Sequence, residues 1–128
     1  MDPVKKDNKR SFGSLGEELA CRYLTANGCR IAEKNYRAGK MGEIDIIAFD
    51  GEYICFVEVK TRTGNLFGTP GESVGRRKQE NIRKLAWTYL KLHGLTEKPV
   101  RFDIAEVTGR KRDGIFVPEN INLIKNAF

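Results

Sequence analysis

Apolar residues along the chain recur with two different periods. Over residues 14–27, Leu15, Leu19, Tyr23 and Ala26 fall on one face at about 100° per residue, and Ala20 and Leu24 widen it. Ser14 followed by Glu17 matches a capping box, and Gly28 supplies a stop, so a helix is expected over 14–27. Glu17 borders the apolar face, while Glu18 points away and can pair with Arg22 four residues on. Strand-like patterns follow over 30–37, 43–49 and 53–61, with a glycine-bearing turn at 38–42. Asp50-Gly51 between the last two is a two-residue hairpin signal. Residues 62–71 hold three glycines and a proline and read as a loop, either a flap over the site or a plain connection. A second helix is expected over 72–93: Ile82, Leu85, Ala86, Tyr89 and His93 line one stripe, and Arg76, Glu80, Arg83, Lys84 and Lys91 lie opposite. Lys78 and Gln79 sit on the stripe's edges and look toward the sheet. Residues 100–107 form another strand, and 115–117 and 121–124 two short edge strands. The pattern predicts an α/β protein with one mixed β-sheet flanked by α-helices.

At 128 residues this is one domain's worth of chain. Residues 1–10 read as a basic flexible tail and 11–128 as a single domain. With 40% hydrophobic and 31% charged residues the chain is too apolar for disorder. Its longest uncharged apolar run, residues 53–57, is far short of the ~20 residues of a membrane span. No apolar signal-peptide segment opens the chain, so a cytoplasmic protein with no membrane partner is expected. Cys21, Cys29 and Cys55 are odd in number and read as reduced thiols. One histidine, His93, and no C-x-x-C pair argue against structural zinc, and His93 reads better as core filler or a helix end than as a hydrolase base. The net charge of +6 favours an acidic partner. Its basic residues cluster at Lys5, Lys6, Lys9 and Arg10, at Arg76, Arg77 and Lys78, and at Arg110, Lys111 and Arg112, which favours nucleic acid.

Chemistry concentrates in the hairpin. Glu58 and Lys60 are two apart in a strand and so share a face. With Asp50 and Gly51 as turn residues, Phe49 pairs with Glu52, and Asp45 lies opposite Phe56 and diagonal to Glu58. Two carboxylates so placed suit a hard cation, Mg²⁺ or Mn²⁺, which can activate water and polarise a phosphate. A lysine beside them can stabilise charge on the phosphorane. Glu43 shares Asp45's face; it is either a further ligand or a residue at the strand start in contact with Arg37, and the second reading is preferred. The bland alternative for Glu58 and Lys60 is an ion pair in a sheet.

The run Gly42-Glu43-Ile44-Asp45 with Phe56-Val57-Glu58-Val59-Lys60-Thr61-Arg62 resembles the PD-(D/E)xK nuclease superfamily, which includes restriction endonucleases and archaeal Holliday junction resolvases. Gly16-Glu17, Ala20, Tyr23-Leu24, Asn35-Tyr36-Arg37, Phe67-Gly68, Pro70, Lys78, Ile82, Ala86 and Tyr89-Leu90 are similar, more closely, to the small bacterial YraN-like family. The sequence carries Gly-Glu-Ile-Asp where many superfamily members carry Pro-Asp, and the Asp is kept. The resemblance implies a restriction-endonuclease-like core and a metal-dependent nuclease hydrolysing phosphodiester bonds in nucleic acid, DNA ahead of RNA. Asp45 and Glu58 would hold the metal and Lys60 would act on phosphate or water. Glu17 is implied as a helix-borne acid near the metal, and Lys78 or Gln79 as an auxiliary helix residue. Arg62, Arg76, Arg77, Lys78 and Gln79 are the candidate nucleic-acid contacts. Resolvase-like relatives act as dimers, which extends a homodimer expectation here. The alternative is a non-catalytic nucleic-acid-binding module that has kept the fold.

Overall fold

The computed structural model describes residues 8–63 and 74–128. Five strands form one sheet in the order β1-β2-β3-β4-β5, with β1 at Arg30–Arg37, β2 at Glu43–Asp50, β3 at Tyr53–Thr63, β4 at Val100–Arg112 and β5 at Ile115–Ile124. Helix α1, Asn8–Ala26, covers one face and α2, Arg76–Leu92, the other. Of the four strand pairs, β3 and β4 alone run parallel, from Ile54↔Val100 to Thr63↔Gly109, because α2 lies in the connection that carries the chain back to the same end of the sheet. The mixed sheet flanked by helices is as expected.

Helix α1 ends in a Schellman motif: Cys29 N–H reaches Leu24 O at 2.9 Å, Gly28 N–H reaches Thr25 O at 3.1 Å, and Gly28 takes φ +91°. Its start differs from expectation. The helix begins at Asn8, so Ser14 lies inside it and does not cap it, and residues 8–10 are helical. A capping bond contributes only about 1 kcal/mol, and Lys9 and Arg10 are good helix formers through which the helix propagates. Residues 1–7 of the expected tail, and most of the expected 62–71 loop, lie outside the described residues. The buried stripe of α1 is also rotated: Gly16, Ala20 and Leu24 are buried, Leu15, Leu19 and Tyr23 are half-buried, and Ala26 is exposed. Small residues face the sheet because the approach is close. A Cβ on Gly16 would collide with Thr61 Oγ1 and lie 3.3 Å from Thr61 Cβ.

On the other face, Ile82, Leu85, Ala86, Tyr89 and Leu90 of α2 pack on Ile44, Ile47, Ile54, Phe56 and Ile104. His93 is the helix C-cap, exposed, its ring stacked on Tyr89 at 4.1 Å, so it fills no core position. Helix α2 starts at Arg76, four residues later than expected. Cys29 and Cys55 are buried and Cys21 is half-buried, all as free thiols.

The hairpins correct two expectations. In β2–β3, Asp50 pairs with Tyr53 and Phe49 with Ile54, so the turn is Gly51-Glu52 and the register lies two residues from that predicted. Gly51 takes φ +61° at the first central position while Glu52 keeps an ordinary φ, the II′ arrangement. Asp50 stays in the strand because its carboxylate lies 3.0 Å from Arg101 Nη2. The same guanidinium donates through Nε to both oxygens of Asp103 at 3.0 Å, and Asp103, fully buried, also accepts Asn126 N–H at 3.1 Å. The other departure is at the far edge. β4 and β5 form one long hairpin around Asp113-Gly114, both at positive φ, so the strand expected over 100–107 runs on through Arg110–Arg112, and Ile115–Ile124 is one strand instead of two. Pro118 is tolerated because β5 is an edge strand with a bulge at that point.

Replacing Gly16 by Ala on an exposed helix would stabilise it by about 1 kcal/mol. Here the sign should reverse, with a loss of about 1–3 kcal/mol from overpacking against Thr61. Urea unfolding checks it, and in a Thr61→Ala background the same change should recover most of the loss.

Candidate active site

The site forms where β2 leaves β3. Their ladder ends at Ile46↔Val57. One step further on, Asp45 Oδ2 accepts Val59 N–H at 2.8 Å, so a side-chain carboxylate takes the place of the next backbone acceptor. The same step breaks the alternation of β2: Ile44 and Ile47 join the core under α2, while Ile46 and Ala48 join the core under α1. The register carried one rung past its last pair sets Asp45 across from Glu58, not diagonal to it as expected from pairing with Phe56. A two-residue shift leaves the parity of the paired residues unchanged, so Asp45 and Glu58 still converge. Burial, and next the Glu58 charge, push the Asp45 carboxyl up to about 7, against the pull of the Val59 bond.

Glu58 is buried, 4% exposed, and is the acid with cations on it. Lys60 Nζ lies 3.5 Å from Glu58 Oε2, and Lys78 Nζ from α2 contacts the same oxygen. Burial lowers the Lys78 ammonium, but its bond to Glu58 and the charges of Glu58 and Asp45 outweigh that, and the net shift is upward.

Asp45 has different company. One carboxylate oxygen each from Glu17 of α1, Glu43 and Asp45 lie within 4.8 Å of one another, and all three residues are half-buried. Asn35 Nδ2 donates to Glu17 Oε1 and to Glu43 Oε1, both at 3.0 Å. Arg37 Nε donates to Glu43 Oε2 at 2.8 Å. Glu43 therefore makes the expected contact with Arg37 and also belongs to the acid cluster, the less favoured of its two readings from sequence. Sequence reasoning missed Asn35 as a site residue. A signal for it lies in the Asn35-Tyr36-Arg37 run, because Asn is among the few residues that accept the left-handed backbone it adopts here, φ +53°. The donors are all oxygens, the ligand type of a hard divalent cation such as Mg²⁺ or Mn²⁺.

The basic candidates divide by position. Arg76 and Arg77 are exposed at the start of α2 and, with Lys78, line a cleft of about 560 Å³ that reaches Glu43 and has Met41 and Ile82 in its wall. Arg62 is 13% exposed and pairs with Glu106 of β4 at 3.7 Å. Gln79 Nε2 donates to Val74 O at 2.8 Å and fastens the start of α2. Arg110 pairs with Glu119 at 2.8 Å on the β4–β5 hairpin.

A family profile described as "Uncharacterised protein family UPF0102" matches residues 16–107. A UPF0102 protein of Acetivibrio thermocellus is 48% identical over 123 residues, covering 96% of this chain and 95% of that protein. One from Caldanaerobacter subterraneus subsp. tengcongensis is 44% identical, covering 98% of this chain and 100% of its own length. Another, from Clostridioides difficile, is 43% identical over 121 residues, covering 94% and 99%. The chain belongs to the UPF0102 family, the family to which the YraN-like pattern pointed. Its matched span contains Glu17, Asn35, Glu43, Asp45, Glu58, Lys60 and Lys78.

An acid whose pKa is higher in the folded chain than in the unfolded one holds its proton longer when folded. The stabilisation from Asp45 is therefore complete below about pH 4 and is lost as pH rises toward about 7. In chelator, Asp45→Asn should stabilise the protein at pH 8 and much less at pH 4.5, by urea unfolding. Equal effects at the two pH values would remove the electrostatic account of this carboxylate.

Proposed function

We propose that this protein is a metal-dependent nuclease of restriction-endonuclease-like type, hydrolysing phosphodiester bonds in nucleic acid, with DNA the first substrate to test. The observation that carries the reading is the division of partners around two facing acids. Glu58 has Lys60 and Lys78, whereas Asp45, with Glu17 and Glu43, forms an oxygen cluster that no lysine enters among the described residues. Pure binding of nucleic acid does not call for such a cluster, because carboxylates repel phosphate.

Asp45, Glu17 and Glu43 would hold Mg²⁺ or Mn²⁺, with Glu58 adjoining. The ion supplies Lewis-acid polarisation of the phosphate and a more acidic water. Lys60, with its side chain 24% exposed, keeps its ammonium at the site through Glu58 and would donate to a phosphate oxygen or to the attacking water. Lys78 brings a second ammonium from α2 and offsets the Glu58 charge. Arg76 and Arg77 would take flanking phosphates along the cleft. The site lies along β3 from its middle, at Glu58, toward Lys60, beside the start of α2.

Calorimetric Mn²⁺ binding beside cleavage of junctions, flaps, single strands and RNA tests the proposal. Asp45→Asn should weaken metal binding and abolish cleavage while the fold persists, and Glu58→Gln, which releases Lys60 and Lys78, should abolish cleavage with a smaller loss of metal affinity. Lys60→Ala should keep the metal and lose about 10²–10³ in rate. A wild-type protein that binds no divalent ion and cuts nothing on the panel would instead support the binding-module alternative. Replacing Arg76 and Arg77 together should flatten the dependence of log K on log salt by about 0.9 for each duplex phosphate they neutralise.

A further inference from the structure

We infer that Asn35 is a positioning residue of the proposed metal site, a neutral clamp that holds Glu17 and Glu43 in the cluster before any cation arrives. The inference rests on the metal-binding reading above and goes beyond it to an exposed residue that is not itself a metal ligand.

Three carboxyl groups with oxygens within 4.8 Å of one another are crowded, and like charge on them drives them apart unless something holds them. A lysine or arginine at the centre would hold them by neutralising them, and would then compete with a metal ion. A side-chain amide brings two N–H donors and no charge. Asn35 uses both for this task, one toward each glutamate. Its amide orientation is unambiguous in chemistry, since ionised carboxylates only accept, so the NH₂ must face them. Each glutamate gives one oxygen, Oε1, to the amide, and the second oxygen of Glu43 goes to Arg37.

The backbone is bent to make this reach. Asn35 has φ +53° within β1, between the pairs Lys34↔Ile46 and Tyr36↔Ile44. That conformation disfavours most side chains, and Asn and Gly tolerate it best. The neighbours fix it there: the Tyr36 ring meets the edge of Tyr89 from α2 at 5.3 Å, and Arg37 is tied to Glu43. A residue chosen only for the backbone would be glycine, which accepts φ +53° without steric cost. Asparagine adds the amide.

That contrast sets the experiment. Asn35→Gly keeps the backbone and deletes the clamp. Its melting temperature in chelator should stay level or rise, while calorimetric Mn²⁺ affinity falls about 10- to 100-fold, the usual loss when a partner of a metal ligand is removed. A purely structural role predicts the reverse: a lower melting temperature and wild-type affinity. Asn35→Asp, which also accepts the backbone, adds a further carboxylate to the cluster. It should lower the melting temperature in chelator, and Mn²⁺ should restore it. If wild type and Asn35→Gly bind Mn²⁺ equally, the clamp is overturned and the metal site stands. If wild type itself binds no Mn²⁺, both fall together.

Discussion

The bond from Val59 N–H to the Asp45 carboxylate is the constraint around which this site is built. A backbone donor in a half-buried strand needs a partner, and at Val59 the neighbouring strand has already turned away. Asp45 supplies that partner from its side chain. In doing so it fixes the carboxylate at the fork between two strands, and it fixes where β2 can diverge. The break in alternation at Ile44 follows, and so does the approach of Glu43 and Glu17 from either side of the fork.

Electrostatics then separates two acids that look equivalent in sequence. Glu58 lies deeper and is compensated by two ammonium groups. Asp45 accepts one backbone N–H, from Val59, and feels Lys78 only through its charge; burial and the facing Glu58 outweigh both, so its proton is held toward neutrality. One acid holds two lysines in place, and the other has no lysine within ion-pair distance among the described residues. The far end of the sheet has the opposite design. Asp103 is fully buried but receives Arg101 and the Asn126 N–H, and there the charges join the β2–β3 hairpin to β4 and the C-terminal segment.

Close packing of α1 connects the two regions. Gly16 sits against Thr61 of β3, and the next residue, Glu17, reaches the cluster. A bulkier residue at 16 would lift the helix and take the carboxylate with it. Glycine inside a helix costs stability, and its position beside a site residue gives that cost a function in alignment.

Much of this was readable in the residues. The strands near the site, the shared face of Glu58 and Lys60, the inward lean of Glu17 and the turn of Lys78 toward the sheet follow from periods of 2 and 3.6, which depend on local backbone geometry alone. The family followed from spaced motifs. What the residues did not decide was competition between equal local signals. Asp-Gly occurs at 50–51 and at 113–114. At 113–114 both residues form the turn, but at 50–51 only the glycine does, because Arg101, distant in sequence, holds Asp50 in its strand. The capping box at Ser14 gave way to a longer helix, and the apolar face of α1 gave way to the face that fits against Thr61. The membership of Glu43 and Asn35 in the site depends on a left-handed residue and a strand fork, both set by contacts between separate elements of the fold. Local pattern specifies which elements form and which way they face; the partner of each charged group is chosen only when those elements pack.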